Sequence, residues 1–138
     1  MELHDGPIAL TAWRPDDAPA VYAACQDPEI QRWIPGLPRP YTLDHARTFI
    51  GNADGFAVRE RGQLVGAIAL RMTADDTAAT GYWCVREARG RGLATRALRR
   101  LCRHALDDLG AQRVELTAAR GNVASQRVAE KVGFHAKE

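Results

Sequence analysis

A Gly-rich run between a predicted strand and a predicted helix holds the residues best suited to bind a charged ligand. Arg89-Gly90-Arg91-Gly92-Leu93-Ala94 follows a strand-like stretch that ends at Val85, and a helix-like stretch continues to Leu109. The first N–H groups of a helix have no partner within it, and the helix dipole adds positive potential there. Glycine also lets the backbone approach a ligand closely. The run therefore predicts a phosphate or pyrophosphate site, with an ordinary strand-to-helix loop as the alternative.

Two widespread phosphate-binding motifs fit this run poorly. A P-loop ends in Gly-Lys followed by Ser or Thr, whereas this chain has Gly92-Leu93-Ala94. The dinucleotide fingerprint requires a third small residue, usually Gly, three positions after its second glycine, and this chain has Thr95 there. The run is therefore better explained by another pattern.

That pattern is the Arg/Gln-x-x-Gly-x-Gly/Ala signature of the GNAT family of N-acetyltransferases, which the run resembles. The stretch from Asn122 to Phe134 is similar to the family's second signature, which reads Asn-x-x-Ser/Ala, a short helix and Lys-x-Gly-Phe. Within the family, the chain most resembles the RimJ/RimL branch, the ribosomal-protein N-acetyltransferases. The resemblance lies in the residues of both motifs and in Trp13-Arg14-Pro15 and Gly81-Tyr82-Trp83. The resemblance covers nearly the whole chain.

The resemblance implies acetyl-coenzyme A as co-substrate. In the family the Gly-rich turn wraps the pyrophosphate, and the preceding strand presents main-chain groups to the pantetheine arm. Asn122 matches a position that contacts the cofactor, and it is also a plausible helix N-cap. Among the many basic side chains here, those of Arg89 and Arg91 are expected nearest to the phosphates. The predicted cofactor-binding residues are Trp83, Cys84, Val85, Arg89, Gly90, Arg91, Gly92, Leu93, Ala94, Thr95 and Asn122.

Acetyl transfer to an amine also needs a proton donor and a proton acceptor. The amine must lose its proton, and the departing thiolate benefits from an acid. Many family members carry a Tyr in the last helix as this acid, but this chain has Ala129 there. The RimJ/RimL branch instead has a Ser at the position of Ser125, which becomes the candidate catalytic acid, with an exposed helix hydroxyl as the alternative.

The base is left open by the sequence. Related chains often carry a Glu two residues before Gly-Tyr-Trp, where this chain has Ala79. Possible substitutes are Asp75, Asp76, His45 and Asp44, each of which also fits a solvated surface, and a water chain is a further alternative. Cys84 as an acetylated nucleophile is disfavoured, because direct transfer is the family's rule and no His-Asp pair stands near it in sequence.

The acceptor wall is expected in the Pro-rich segment from Trp33 to Tyr41 and in the helix after it. Trp33, Leu37 and Tyr41 are its candidate substrate-binding residues, with packing onto the core as the alternative. The acceptor would be a protein N-terminus or a small-molecule amine. A catalytically weak or inactive acetyl-coenzyme A sensor is the alternative function, favoured by Ala79 and by the short C-terminus. A nucleotide-binding regulatory domain ranks behind both.

The composition of the chain bounds its class. Its 138 residues suit a single domain, 1–138, and 46% hydrophobic with 26% charged residues is ordinary for a globular protein. A net charge of +2 gives no reason to expect a nucleic-acid partner. Cys25, Cys84 and Cys102 show neither a disulfide pattern nor metal-ligand spacing. No signal peptide or membrane-spanning stretch is recognisable, so a cytoplasmic protein without a membrane partner is expected.

The order of predicted elements indicates a mixed α/β (α+β) fold with a mostly antiparallel sheet and helices on both faces. Strands are expected at Ile8–Trp13, Gly55–Glu60, Gln63–Met72, Ala79–Val85 and Arg113–Ala119, and helices at Pro15–Gln26, Leu43–Ile50, Leu93–Leu109 and Val123–Val132, with one helical turn around Ile30–Ile34. The resemblance adds a cofactor site where two central strands splay. It also implies one or two further strands beyond Phe134, so the C-terminal part of the fold is expected to be truncated and the last strand to favour a homodimer.

Overall fold

One sheet forms the centre of the molecule. Within residues 2–118 and 121–135, which are those that the structure (a computed structural model) describes, it contains six strands in chain order. They are β1 (Leu3–Asp5), β2 (Ile8–Thr11), β3 (Phe56–Glu60), β4 (Gln63–Met72), β5 (Thr77–Cys84) and β6 (Arg113–Leu116). All neighbouring pairs are antiparallel except β5 and β6, which are parallel. The predicted mixed, mostly antiparallel sheet is therefore confirmed.

The turn between β3 and β4 shows why this hairpin was predictable. Arg61 and Gly62 adopt φ values of 52° and 83°. Two residues with positive φ form the tight turn whose twist matches that of the flanking strands. The β1 hairpin escaped prediction, because β1 has only three residues and little alternation to reveal it.

Five α-helices lie within the described residues. They are α1 (Ala18–Ala24), α2 (Pro28–Trp33), α3 (Leu43–Asn52), α4 (Leu93–Arg103) and α5 (Val123–Val132). Two of the predicted helices have another helix type at one end. The residues Pro15–Asp17 form a 3₁₀ turn before α1, and a π-helical turn, His104–Asp108, replaces the predicted end of α4. A switch from α-helical to 3₁₀ or π-helical hydrogen bonding over one turn does not alter the spacing of hydrophobic residues enough to be recognised in the sequence. No helix in the described part of the chain is long and apolar enough to cross a bilayer.

The helices cover both faces of the sheet, as predicted. The α1, α2 and α3 helices pack with Ala67 and Trp83 in one apolar cluster. The α4 and α5 helices pack with Ile68 and Tyr82 in the other. Adjacent residues of a strand point to opposite faces, so Tyr82 and Trp83 enter different halves of the core.

The two central strands separate part-way along their length. Parallel pairing joins Thr77–Thr80 of β5 to Arg113–Leu116 of β6 and extends no further in the described residues. From Gly81 to Cys84, β5 keeps its pairing with β4 on the other side. This divergence is the splayed site that the family resemblance implied. β6 is the edge strand of the described sheet, and association of two copies through this edge stays a prediction. Ala119, which the sequence predicted as the last residue of this strand, lies outside the described residues.

A buried ion pair joins the start of α1 to β3. The Arg59 guanidinium donates to both carboxylate oxygens of Asp17, at 2.9 and 2.7 Å, and to Thr11 Oγ1 at 2.9 Å. The side chains of Arg59 and Asp17 are only 7% and 9% exposed. The backbone N–H of Arg14 donates to the same carboxylate at 2.8 Å. Removing one member of such a pair leaves the other charge buried and unpaired.

We expect Asp17→Asn to lower the free energy of unfolding by about 3 to 5 kcal/mol, because the buried Arg59 charge loses its counter-ion. Urea denaturation at pH 7 measures this. Asp44→Asn is the matched control, since it breaks an Asp–Arg pair whose side chains are 87% and 63% exposed; its cost is expected below ~1 kcal/mol. Equal costs for the two variants would contradict the assigned role of Asp17.

The same pair predicts the direction of the acid response. Burial raises the pKa of Asp17, but hydrogen bonds from Arg59 and Arg14 and their charges lower it by more, so it lies below the ordinary value of 3.8. A carboxyl with a depressed folded-state pKa adds stability that is complete above the unfolded-state pKa and lost as pH falls through the folded-state pKa. We expect the stability difference between wild type and Asp17→Asn to shrink below about pH 4, measured by urea denaturation across pH.

Candidate active site

A cavity of about 960 Å³ opens where β5 and β6 separate. One wall is the free end of β5, from Gly81 to Cys84, and the opposite wall contains Leu116 and the two residues after it. The start of α4, the start of α5 and parts of α2 and α3 complete the lining. Its volume is at the upper end for small-molecule sites, so a long ligand fits.

The Gly-rich run lies in the wall of this cavity. Gly92 is the N-cap of α4 with φ of 76°, and Gly90 has φ of 79°. These left-handed conformations favour glycine, and a Cβ added at either position would face open space. Gly92 has no side chain with which to cap α4, so the N–H groups of the first turn retain capacity for an external acceptor. Leu93, Ala94 and Thr95 line the cavity beside the two glycines.

The two arginines of the run are engaged by carboxylates of the protein. Arg89 Nη2 donates to Asp27 Oδ2 at 2.7 Å and to the Cys84 carbonyl at 2.9 Å. Arg91 forms a two-point ion pair with Glu60, at 3.1 and 2.9 Å. Arg89 lines the cavity, but Arg91 does not. The Arg91 side chain is therefore directed away from the cavity, and the contact of Arg89 and Arg91 with a phosphate stays a prediction.

Of the three strand residues predicted to bind the cofactor, two line the cavity and one does not. Trp83 and Cys84 line the cavity. Val85 does not, since it packs against the apolar clusters of both faces and its N–H donates to the Val65 carbonyl at 2.9 Å. Burial raises the pKa of the Cys84 thiol to about 11, with partial relief from Arg89. Cys84 is therefore a protonated thiol at neutral pH, which is a poor nucleophile.

The first turn of α5 brings two predicted residues to the cavity. Asn122 Oδ1 accepts a hydrogen bond from the Ser125 N–H at 3.2 Å, so Asn122 is the helix N-cap and also lines the cavity. Ser125 is half-buried in the same wall. The cap orients the first turn of α5 and thereby places the Ser125 hydroxyl at the cavity.

Tyr82 is a site residue that sequence reasoning missed. Its hydroxyl oxygen is buried in the cavity wall and has no hydrogen-bond partner among the described residues. Burial raises the pKa of Tyr82, which the neighbouring Ser125 hydroxyl lowers in part although the two groups do not form a well-aligned hydrogen bond. A buried hydroxyl without an aligned partner is rare in folded proteins, which makes the Tyr82 hydroxyl a candidate ligand contact. The sequence signal that could have identified Tyr82 is strand alternation in Gly81-Tyr82-Trp83, which places Tyr82 on the face opposite Trp83.

Of the three predicted acceptor residues, the structure brings only Trp33 to the cavity. Tyr41 is 5% exposed and packs in the α1–α3 core beside Cys25, whose pKa is raised by burial to about 11. Leu37 packs on the same cluster. The loop that carries Leu37 and Tyr41 thus closes the core rather than lining the site, because their apolar surface is more stable when buried.

The carboxylates at the cavity also differ from those proposed from sequence. Asp44, His45, Asp75 and Asp76 do not line it; Asp44 pairs with Arg47, His45 completes the Thr42 capping box, and Asp75 pairs with Arg113. Glu29 and Asp54 line it instead. Glu29 Oε2 accepts the indole N–H of Trp33 at 3.1 Å, one helical turn away on α2. No motif marks Glu29, since only the fold turns α2 towards the cavity.

Comparisons with known proteins agree with this geometry. The sequence profile of the Acetyltransferase (GNAT) domain matches residues 8–135. The Bacillus subtilis protein named "Putative ribosomal N-acetyltransferase YdaF" is 39% identical over 75 residues, which are 53% of this chain and 41% of that protein. This chain therefore aligns with less than half of that relative.

Solved structures share the whole fold. An acetyltransferase of the GNAT family from Bacillus anthracis superposes with a TM-score of 0.92 at 22% identity, over 100% of this chain and 86% of that one. Mycobacterium smegmatis RimJ, solved in complex with CoA-disulfide, superposes with a TM-score of 0.84 at 22% identity, over 100% and 76%. At these identities the structures establish the fold alone. The domain match, the signatures and the splayed strands together show that the chain belongs to the GNAT acetyltransferase family.

Proposed function

We propose that this protein is an N-acetyltransferase that transfers the acetyl group of acetyl-coenzyme A directly to a primary amine. The observation that carries the proposal is the continuous cavity between the uncapped start of α4 and the α2 wall. The acceptor is a protein N-terminus or a small-molecule amine. The name of YdaF, which refers to the ribosome, favours the protein acceptor.

The residues of this chain fit acetyl-coenzyme A at several places. The main chain around Gly90, Gly92 and the first turn of α4 offers N–H donors to a pyrophosphate. The Tyr82 hydroxyl offers a buried donor that lacks a partner among the described residues. Beyond Thr80 the open edge of β5 presents main-chain groups of Tyr82 and Cys84 to the pantetheine arm, because Trp83 and Val85 face β4 in the alternating ladder. The Cys84 carbonyl also accepts Arg89. When bound, acetyl-coenzyme A supplies an activated acetyl group and a thiolate leaving group.

Tyr82 and Ser125 are the residues of this chain positioned to hold the proton that the leaving group needs. Both hydroxyls lie in the same wall of the cavity. Burial raises the pKa of the Tyr82 phenol, which carries its proton at neutral pH as an ordinary Tyr does. Either hydroxyl, or the two together, supplies the proton that the leaving group needs. Cys84, held as a thiol, leaves direct transfer as the simpler route.

Glu29 is the residue best placed to receive the acceptor amine. A carboxylate attracts an ammonium group and accepts its hydrogen bonds. The Trp33 N–H occupies one carboxylate oxygen of Glu29 and thereby orients the group at the α2 wall. Asp54 is the second carboxylate at the cavity. Either accepts the amine proton directly or through water, which answers the absence of an acidic residue at Ala79.

Calorimetric titration with acetyl-coenzyme A, with ATP as the control ligand, tests this function first. We expect one saturable site for acetyl-coenzyme A and none for ATP. A panel of amines, including peptides with free N-termini, then tests turnover. Binding without turnover of any amine would favour the alternative of an acetyl-coenzyme A sensor, and absence of binding would contradict the cofactor assignment.

Gly92→Glu is expected to abolish acetyl-coenzyme A binding, because it places an anion where the phosphate is proposed to lie. A side chain at this positive φ also costs about 1 to 2 kcal/mol in stability. Gly62→Glu is the matched control, since Gly62 has φ of 83° and open space around it but lies in the β3–β4 turn outside the cavity. Calorimetry and urea denaturation of both variants separate strain from site chemistry. Retained binding in Gly92→Glu would show that the phosphate lies elsewhere.

Tyr82→Phe and Ser125→Ala are each expected to lower kcat by about tenfold to a hundredfold, because each removes a proton donor. The dissociation constant for acetyl-coenzyme A should change by less than about threefold, since the phosphate cradle is untouched. Tyr22→Phe is the control, as Tyr22 is 40% exposed and does not line the cavity. Unchanged kcat in both site variants would assign the proton to water.

A further inference from the structure

Asp27 has partners that belong to different parts of the site, including the exposed Arg86, whose Nη2 lies 3.5 Å from Oδ1. As the N-cap of α2, its Oδ1 accepts the backbone N–H of Glu29 at 3.0 Å. Its Oδ2 accepts Arg89 Nη2 at 2.7 Å. One carboxylate therefore fixes the start of the helix that carries the acceptor wall and also holds the arginine of the Gly-rich run.

Arg89 connects this carboxylate to the strand that borders the cavity. The same Nη2 atom donates to the Cys84 carbonyl at 2.9 Å, at the end of β5. Gly90 follows Arg89 directly, so the guanidinium anchors the first residue of the proposed phosphate cradle. Three segments, α2, β5 and the run before α4, thus meet at one hydrogen-bonded centre.

The pair is more protected than an ordinary surface ion pair. The Asp27 side chain is 10% exposed and that of Arg89 is 35% exposed. Burial raises the pKa of Asp27, but the Glu29 N–H, Arg89 and the more distant Arg86 lower it by more, so the carboxyl stays ionised at neutral pH. A short, charge-assisted hydrogen bond in such a place is stronger than a neutral one.

The two ends of the pair reach the two halves of the cavity. On α2, Glu29 and Trp33 line the acceptor side. On the other side, Arg89 and Gly90 line the cofactor end. A ligand that orders the Gly-rich run therefore also restrains Arg89, and Arg89 restrains the N-terminus of α2.

We propose that Asp27 is a positioning residue that couples cofactor binding to the order of the acceptor wall through Arg89. The proposal rests on the proposed function, because it takes acetyl-coenzyme A as the ligand of the Gly-rich run. Acetyl-coenzyme A binding tightens α2, so that Glu29 and Trp33 are held in place for the amine. By thermodynamic reciprocity, an acceptor bound at α2 raises the affinity for acetyl-coenzyme A.

Asp27→Asn separates this role from helix capping. Asn is as good an N-cap as Asp, so α2 keeps its start. The side-chain amide of Asn is neutral in either orientation, so the ion pair with Arg89 is lost. Asp27→Ser is the second variant, since Ser also caps but is too short to bridge to Arg89.

Glu60→Gln is the matched control. It removes the carboxylate partner of Arg91, which belongs to the same run, through hydrogen bonds of 3.1 and 2.9 Å. Glu60 lies on β3 and outside the cavity, so its ion pair does not reach α2. If the loss of an ion pair that restrains the Gly-rich run were sufficient, the effect would also appear in Glu60→Gln.

Amide hydrogen exchange with and without saturating acetyl-coenzyme A tests the coupling. In wild type and Glu60→Gln, we expect the ligand to slow exchange about fivefold or more both in the first turn of α4 and in α2. In Asp27→Asn and Asp27→Ser, we expect slowing at α4 alone and a dissociation constant raised roughly two- to tenfold.

The outcomes distinguish the two proposals. Ligand-induced slowing at α2 that persists in both Asp27 variants would overturn the coupling role while leaving the proposed function intact. Slowing confined to α4 in the wild type would overturn it as well. No slowing anywhere and no binding by calorimetry would instead refute acetyl-coenzyme A as the ligand, and with it the proposed function.

Discussion

The separation of β5 from β6 is the constraint on which the rest of the site depends. Parallel pairing ends at Thr80 and Leu116, so within the described residues the last four residues of β5 have a hydrogen-bonded neighbour on one side only. Backbone N–H and C=O groups inside a protein require partners. This open edge borders the cavity, and β5 leads into the Gly-rich run. A strand edge and a helix start thus face one cavity.

Alternation along β5 distributes the chemistry around that opening. Tyr82 points into the half of the core covered by α4 and α5, where Ser125 lies. Trp83 points into the half covered by α1, α2 and α3, where Phe49 packs 6.5 Å from it, centroid to centroid. Tyr82 and Ser125 therefore lie on the opposite side of β5 from Trp83 and α2. A shift of register by one residue would exchange the faces of Tyr82 and Trp83.

Two Asp–Arg pairs of similar geometry have different roles, because they differ in burial and in the segments that they connect. Asp17 and Arg59 are almost completely buried and tie α1 to the sheet, so their loss is mainly a loss of stability. Asp27 and Arg89 are partly exposed and join two segments that border the cavity. The second pair is therefore suited to transmit a change in one segment to the other.

The sequence by itself determined the family, most of the central sheet and the Gly-rich start of α4, because glycines, helix caps and alternating strands are local signals. The N-cap at Asn122 and the strand Gln63–Met72 were predictable for that reason. Only the tertiary structure decided which side chains meet. It buried Tyr41, paired Arg91 with Glu60 outside the cavity, and brought Glu29 and Tyr82 into it. Such choices depend on competition between packing and ion pairing across distant segments, which no local pattern records.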